Sequence, residues 1–277
     1  MQLRGLLAVL FVVSVGCGEA MPEDIAADVQ SDSQALSIGS QEALAWANGW
    51  IAEVKANPSQ LLENAYTASG TDLERMSSGV KATNRNVCGT LVTKLFQKSL
   101  GFTSDDFYKS FNKAMDGTCQ VGSIDGVQKG TTSPNAAQYR YKLANCGGTG
   151  PIKFTRRKTI GEVRSGDVLA VVYPDRTDIT GHVMIVRAAP VADKLLPPGP
   201  SGSTGYAVEI IDSTSTPHGQ AARYPDWRGG DSGQGLGSGT FVLYASSTGT
   251  IVASSWSASS TAWTKASLAT LAIGGLQ

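Results

Sequence analysis

The sequence predicts an α+β domain in which N-terminal helices pack on an antiparallel sheet of about five to six strands. Three observations carry this. Before Asn145, apolar residues recur at helical spacing. From Asp167 onward they come in short, β-rich runs separated by turn residues. No long helix intervenes between those runs, so neighbouring strands must run antiparallel.

The helices come first. Ser40 caps a segment reaching Ala56, with Leu44, Ala47, Ile51 and Val54 on one face, and Asn57-Pro58 ends it. A second short helix is expected over Gln60 to Tyr66. A strongly amphipathic helix begins at Cys88: Leu91, Val92, Leu95, Phe96 and Leu100 follow at i, i+3, i+4 spacing, Asn86 stands as N-cap, and Gly101 is the stop. Ser104-Asp-Asp-Phe opens another helix, with Phe107, Phe111 and Met115 on one side and Asp116-Gly117 at its end. Tyr139 to Ala144 adds a further turn.

The strands follow as Asp167–Tyr173, His182–Arg187, Tyr206–Asp212, Thr240–Tyr244, Thr250–Ala253 and Leu268–Ile273. Two connections are long, Ala189 to Gly205 and Thr214 to Gly239. The second carries His218, Arg223, Asp226, Trp227 and Arg228, so cations and an aromatic are available for a substrate wall. Trp256 and Trp263 are expected to pack under the last strand.

Ahead of the domain, Met1-Gln-Leu-Arg-Gly leads into the apolar run Leu6 to Val13, which has signal-peptide length and is too short to span a membrane. Val13-Ser-Val-Gly-Cys17 resembles the lipobox of bacterial lipoproteins, which implies a lipidated Cys17. The alternative is secretion with cleavage after Gly18-Glu-Ala20. Residues 18–40 hold five acids and no base and read as a solvated tether. Residues 1–17 are thus assigned to the signal segment, 18–40 to the tether and 41–277 to the domain. That domain holds 22 bases against 18 acids, which suits an anionic polymer surface and is far too mild for nucleic acid.

In an oxidising compartment Cys119 and Cys146 most simply pair, closing a loop of about 27 residues worth roughly 3 kcal/mol. Cys88 then remains as the unpaired thiol. With two histidines and no Cys-x-x-Cys spacing, no metal site or cofactor is expected.

A thiol at a helix start meets unpaired N–H groups and the positive end of the dipole, both of which favour the thiolate. The same phase also fits a buried core cysteine. A nucleophile needs a base, and the base needs a third group to hold its tautomer. His182 opens the strand Gly181-His-Val-Met-Ile-Val, and Asp212 ends Val208-Glu-Ile-Ile-Asp. If these strands pair, the start of one lies against the end of the other. His218, six residues past Asp212, is expected to bind substrate or assist from its loop, together with Arg223, Trp227 and Asn86.

In this order, a Cys at a helix start, Gly166-Asp-Val, Gly181-His-Val-Met-Ile-Val and a polar residue late in the following strand, the chain resembles the NlpC-type papain-like cysteine peptidases and the related CHAP amidases. The resemblance spans residues 80–275 and falls on Cys88, His182 and Asp212. It departs at Val87-Cys-Gly-Thr, where the family has Asp-Cys-Ser-Gly, and in having Asp as third member. The family's upstream Tyr that shapes the oxyanion site has no clear counterpart here; Tyr66, Asn84 and Asn86 are the candidates. The resemblance implies a papain-like thiol hydrolase cleaving amide bonds of cell-wall peptides; a monomer is expected, and the leader segment points to an envelope lipoprotein of the outer membrane or periplasm, or a secreted protein. The alternative is a lipid-anchored envelope-binding protein with the same fold and no chemistry.

Overall fold

The computed structural model describes residues 38–70, 72–111, 132–173, 181–230, 233–267 and 270–277. The signal segment, Cys17, most of the tether and Cys119 lie outside the described residues. Leu36–Gln277 forms one compact unit. Among the described residues no helix is long and apolar enough to cross a membrane.

The helices are α1 (Ile38–Ala56), α2 (Cys88–Leu100), α3 (Ser104–Phe111) and α4 (Ala136–Asn145). The strands are β1 (Leu61–Ala65), β2 (Leu73–Glu74), β3 (Ala82–Arg85), β4 (Phe154–Arg157), β5 (Val168–Val171), β6 (His182–Val186), β7 (Val191–Ala192) and β8 (Thr204–Thr214). They continue with β9 (Gln220–Ala221), β10 (Tyr224–Pro225), β11 (Trp227–Arg228), β12 (Gly235–Ala245), β13 (Ile251–Ser255), β14 (Thr264–Lys265) and β15 (Leu271–Leu276). The architecture is α+β with a large antiparallel sheet. Its ten strands exceed the number expected. The main path runs β14-β13-β12-β8-β6-β5-β15-β4, with β11 on β12 and β7 on β8.

This sheet is covered on both faces. Along β5, β6 and β8 successive side chains alternate between two cores, as the pleat requires. Val168, Ala170, Val183, Ile185 and Ile211 join the helices in the first core. Leu169, Val171, Met184, Val186, Val208 and Ile210 enter the second, formed largely by the sheet itself. The two ends of the sheet approach each other: Thr159, just after β4, bridges Thr250, just before β13, and Ile160 N–H donates to Gly249 O at 2.8 Å. The sheet therefore curls around its second core.

α2 is anchored by Leu91, Val92, Leu95 and Phe96, all fully buried. At about 1.5 to 3 kcal/mol each as an upper estimate, their burial far outweighs helix propensity and fixes where the helix start lies. Gly101 ends it in the left-handed conformation (φ 70°), its N–H donating to Gln97 O.

Four expectations are corrected. Gln60 to Tyr66 is not a helix: a short 3-10 turn (Pro58–Gln60) runs into β1, which pairs parallel with β3 in a small separate sheet. β4 lies in a stretch whose periodicity was too weak to show a strand. β12 begins at Gly235 rather than Thr240, because Gly235-Leu-Gly-Ser-Gly presents bare backbone on one face and so hides its strand character. Asn86 is not the N-cap of α2. Val87 holds that position, and Asn86 Nδ2 instead donates to Asp72 O and Asn84 Oδ1.

Candidate active site

The first turn of α2 places Cys88 at the strand mouth of β6. Cys88 is a free, buried thiol, hydrogen-bonded to the His182 ring and to the Val183 N–H. β6 and β8 are antiparallel neighbours, with Ile185 opposite Ile211 and Val186 opposite Ile210. Continuing that register puts His182 and Asp212 diagonally adjacent on the same face of the sheet. His182 Nε2 lies 2.5 Å from Asp212 Oδ2, which leaves Nδ1 to face the thiol.

Burial alone pushes the Cys88 thiol up, but the His182 charge, its hydrogen bond and the Val183 N–H outweigh this, and the pKa falls below the ordinary thiol value. For His182 burial pulls the other way from its partners. Cys88 and Asp212 prevail and raise the imidazole to about 10. Asp212 is opposed by burial too, yet Arg228, His218 and His182 hold its carboxyl well below the usual carboxylate range. The direction common to all three is a thiolate–imidazolium pair backed by an ionised carboxylate.

Asp212 is the most heavily supported residue of the site. Arg228 Nη1 donates to Oδ1 at 2.5 Å, and the same guanidinium grips Asp226 at 2.7 Å through both Nε and Nη2. His218 Nε2 lies 2.9 Å from Asp212 Oδ2, its Nδ1 lies 2.6 Å from Trp256 O, and its ring stacks on Trp256 at 3.9 Å. Asp226 Oδ2 also accepts from the His218 N–H.

These supports fit because of alternate glycines in β12. A Cβ on Gly239 would lie 2.5 Å from Asp226 Oδ2 and 3.0 Å from His218 Cβ, and one on Gly237 would overlap the Trp227 carbonyl. Glycine at every second position of a strand, which leaves one face open to close backbone approach, is the signal that marks this docking surface in the sequence. Asn64 fastens β1 to the same strand: Oδ1 accepts from Leu236 N–H at 2.7 Å, and Nδ2 donates to Gly229 O and Leu236 O.

The thiol opens on a cleft of about 770 Å³ lined in part by Tyr66, Thr90, Tyr173, Thr214, Trp256 and Trp263. Tyr66, just past β1, hydrogen-bonds Cys88 and keeps its phenol proton, since burial and the Cys88 charge both raise its pKa. Of the three candidates for an upstream oxyanion donor, Tyr66 is the one at the thiol. Asn84 turns inward to Asn64 and Ser213. Trp256 and Trp263 both line the cleft; Trp256 also packs against the second core, whereas Trp263 is 44% exposed rather than packed under the last strand.

The residues expected to bind substrate are placed otherwise. His218 is sealed behind Asp212 and does not line the cleft. Arg223 is exposed and pairs with Asp193 at 3.3 Å. Trp227 packs against the first core with Lys55 Nζ 4.7 Å above its ring. Asn86 is fully buried. Cys146 is disulfide-bonded; its expected partner Cys119 lies outside the described residues.

Among the described residues, His182, Asp212 and His218 form a group whose ligand atoms lie within 4.8 Å of one another. Their contacts have hydrogen-bond lengths, and the Asp212 charge is already met by Arg228, so a relay fits this donor set better than a metal centre.

No protein-family model matches the chain, and no solved structure does. An uncharacterized protein of Acanthamoeba polyphaga mimivirus is 40% identical over 116 residues, a match covering 38% of this chain and 49% of the viral protein. The chain thus spans about half the length of that relative.

Proposed function

We propose that the protein is an exported cysteine hydrolase of papain-like, NlpC or CHAP type that cleaves amide bonds, with cell-wall peptides as substrate. The observation that carries this reading is the continuous chain from Cys88 and His182, which line the cleft, to Asp212 buried behind them. A buried charge pair is costly to hold, and one aimed into a cleft has a use for its position.

In this reading the Cys88 thiolate attacks the carbonyl carbon. A C–S bond forms and the carbonyl electron pair moves onto oxygen. The Cys88 N–H, at the first helical position where no intrahelical acceptor exists, and the Tyr66 hydroxyl, released as the thiolate is consumed, bind that oxyanion. Collapse breaks the C–N bond, and the amine leaves with the proton from His182. Neutral His182 then takes a proton from water, whose oxygen attacks the thioester. The acid is released and the thiolate–imidazolium pair returns. Asp212 keeps the imidazole in register throughout.

The deciding experiment incubates the purified chain with peptidoglycan fragments and measures newly released amines. The wild type should release them and Cys88→Ala should not. Equal release by the two would overturn the reading. Retained binding without release would favour an envelope-binding protein instead.

A further inference from the structure

We propose that His218 is a buried imidazolium, its two ring protons fixed between Asp212 and the Trp256 carbonyl, and that its charge sets the pH range in which the Cys88–His182 pair is ionised. The argument is one of hydrogen-bond accounting. Trp256 O is a carbonyl and only accepts, so His218 Nδ1, at 2.6 Å, must carry a proton. Asp212 Oδ2 belongs to an ionised carboxylate that also receives Arg228 and His182, so it too only accepts, and His218 Nε2 must carry the second proton. A ring with protons on both nitrogens is a cation. The fully buried side chain has the surroundings a cation needs: the Trp256 face at 3.9 Å and the carboxylates of Asp212 and Asp226.

The ionisable groups around it are Asp212 on β8, Asp226 before β11, Arg228 on β11 and His182 on β6, with Cys88 beyond. With His218 protonated, two carboxylates meet two cations, and the thiolate–imidazolium pair stands beside a neutral cluster. With a neutral residue at 218 the cluster carries one net negative charge next to the thiolate, which disfavours it. His218 is thus a positioning residue that acts through Asp212.

Histidine ring-nitrogen NMR on the 15N-labelled full chain tests the protonation state, because the chain has only two histidines. Signals that survive in His182→Gln belong to His218. In the wild type both His218 nitrogens should show protonated shifts. A neutral tautomer there overturns the proposal, and this measurement needs no variant at 218. The pH consequence rests on the thiolate reading of Cys88 and is read separately, from the acid limb of Cys88 alkylation by iodoacetamide. In His218→Gln the limb should move up by about 1 pH unit, the low end of what losing one nearby opposite charge does to an acid. An unmoved limb in a folded His218→Gln variant would remove the tuning role, whereas a neutral ring by NMR would remove the cation itself.

Discussion

The Arg228 guanidinium reaches Asp212 Oδ1 at 2.5 Å with both side chains almost wholly removed from water. Its other edge is filled by Asp226, so a single planar group joins the carboxylate behind His182 to the loop that carries His218. Removing one partner of such a pair leaves a charge buried without compensation.

Arg228→Met should therefore destabilise the fold by about 3 to 5 kcal/mol, read from the denaturant midpoint. Arg228→Lys should recover only part of this, because an ammonium cannot reproduce a fork that serves two carboxylates at once. A loss below about 1 kcal/mol for Arg228→Met would contradict the described packing.

Tyr66→Phe removes the hydroxyl beside Cys88 and nothing from the core. Acylation by an activated ester should slow about 100- to 1000-fold, with a melting temperature close to wild type. Full acylation rates in this variant would exclude Tyr66 as an oxyanion donor.

The stability of the pair should depend on pH in a way that identifies it. The His182 pKa is raised to about 10, so its contribution is complete below about 6.5 and is lost as pH rises toward about 10. The Cys88 pKa is lowered, so its contribution is complete above about 8.5 and is lost as pH falls. Between about 6.5 and 8.5 the unfolded chain has released its imidazole proton and kept its thiol proton, and the folded pair also holds one. Wild-type stability should be nearly flat across that interval. In Cys88→Ala the unfolded chain has lost the balancing thiol proton while Asp212 still favours one on His182, so stability should fall as pH rises through the same interval. Parallel denaturation curves for the two proteins would refute the ion pair.

Gly237→Ala places a methyl group against the Trp227 carbonyl, and β11 must shift to admit it. A cost of about 1 to 3 kcal/mol is expected, together with a weakened Cys88 reactivity because Arg228 moves with β11. Gly161→Ala is the control: nothing lies near its Cβ, and the change should stay within about 0.5 kcal/mol. Circular dichroism melts of the two variants compare them directly.

How much of this was legible depends on how locally it was encoded. The α2 pattern and the β5, β6 and β8 runs are periodic, so their burial and alternation could be read directly. The His182–Asp212 pair followed from antiparallel pairing of β6 with β8, and register made it a same-face pair. β1 was misread because Leu61 and Leu62 sit among polar residues, and its strand state comes from pairing with β3, some twenty residues away. Arg228, Asp226 and His218 read as charged loop residues available for a substrate wall. Only their docking on the bare face of β12 turns them inward, and a sequence shows that face merely as spaced glycines. Tyr66 was one of three candidates until β1 and β3 fixed which of them stands at the thiol.

Cys88 rides on a helix of the first core, whereas His182 and Asp212 lie on the sheet face of the second. Each layer alone holds an inert part: a thiol without a base, or an imidazole with nothing to deprotonate. In the proposed reading, alkylation of Cys88 faster than that of an ordinary cysteine therefore requires both layers to have closed on the shared sheet, and a chain with either layer open carries no more than an ordinary thiol.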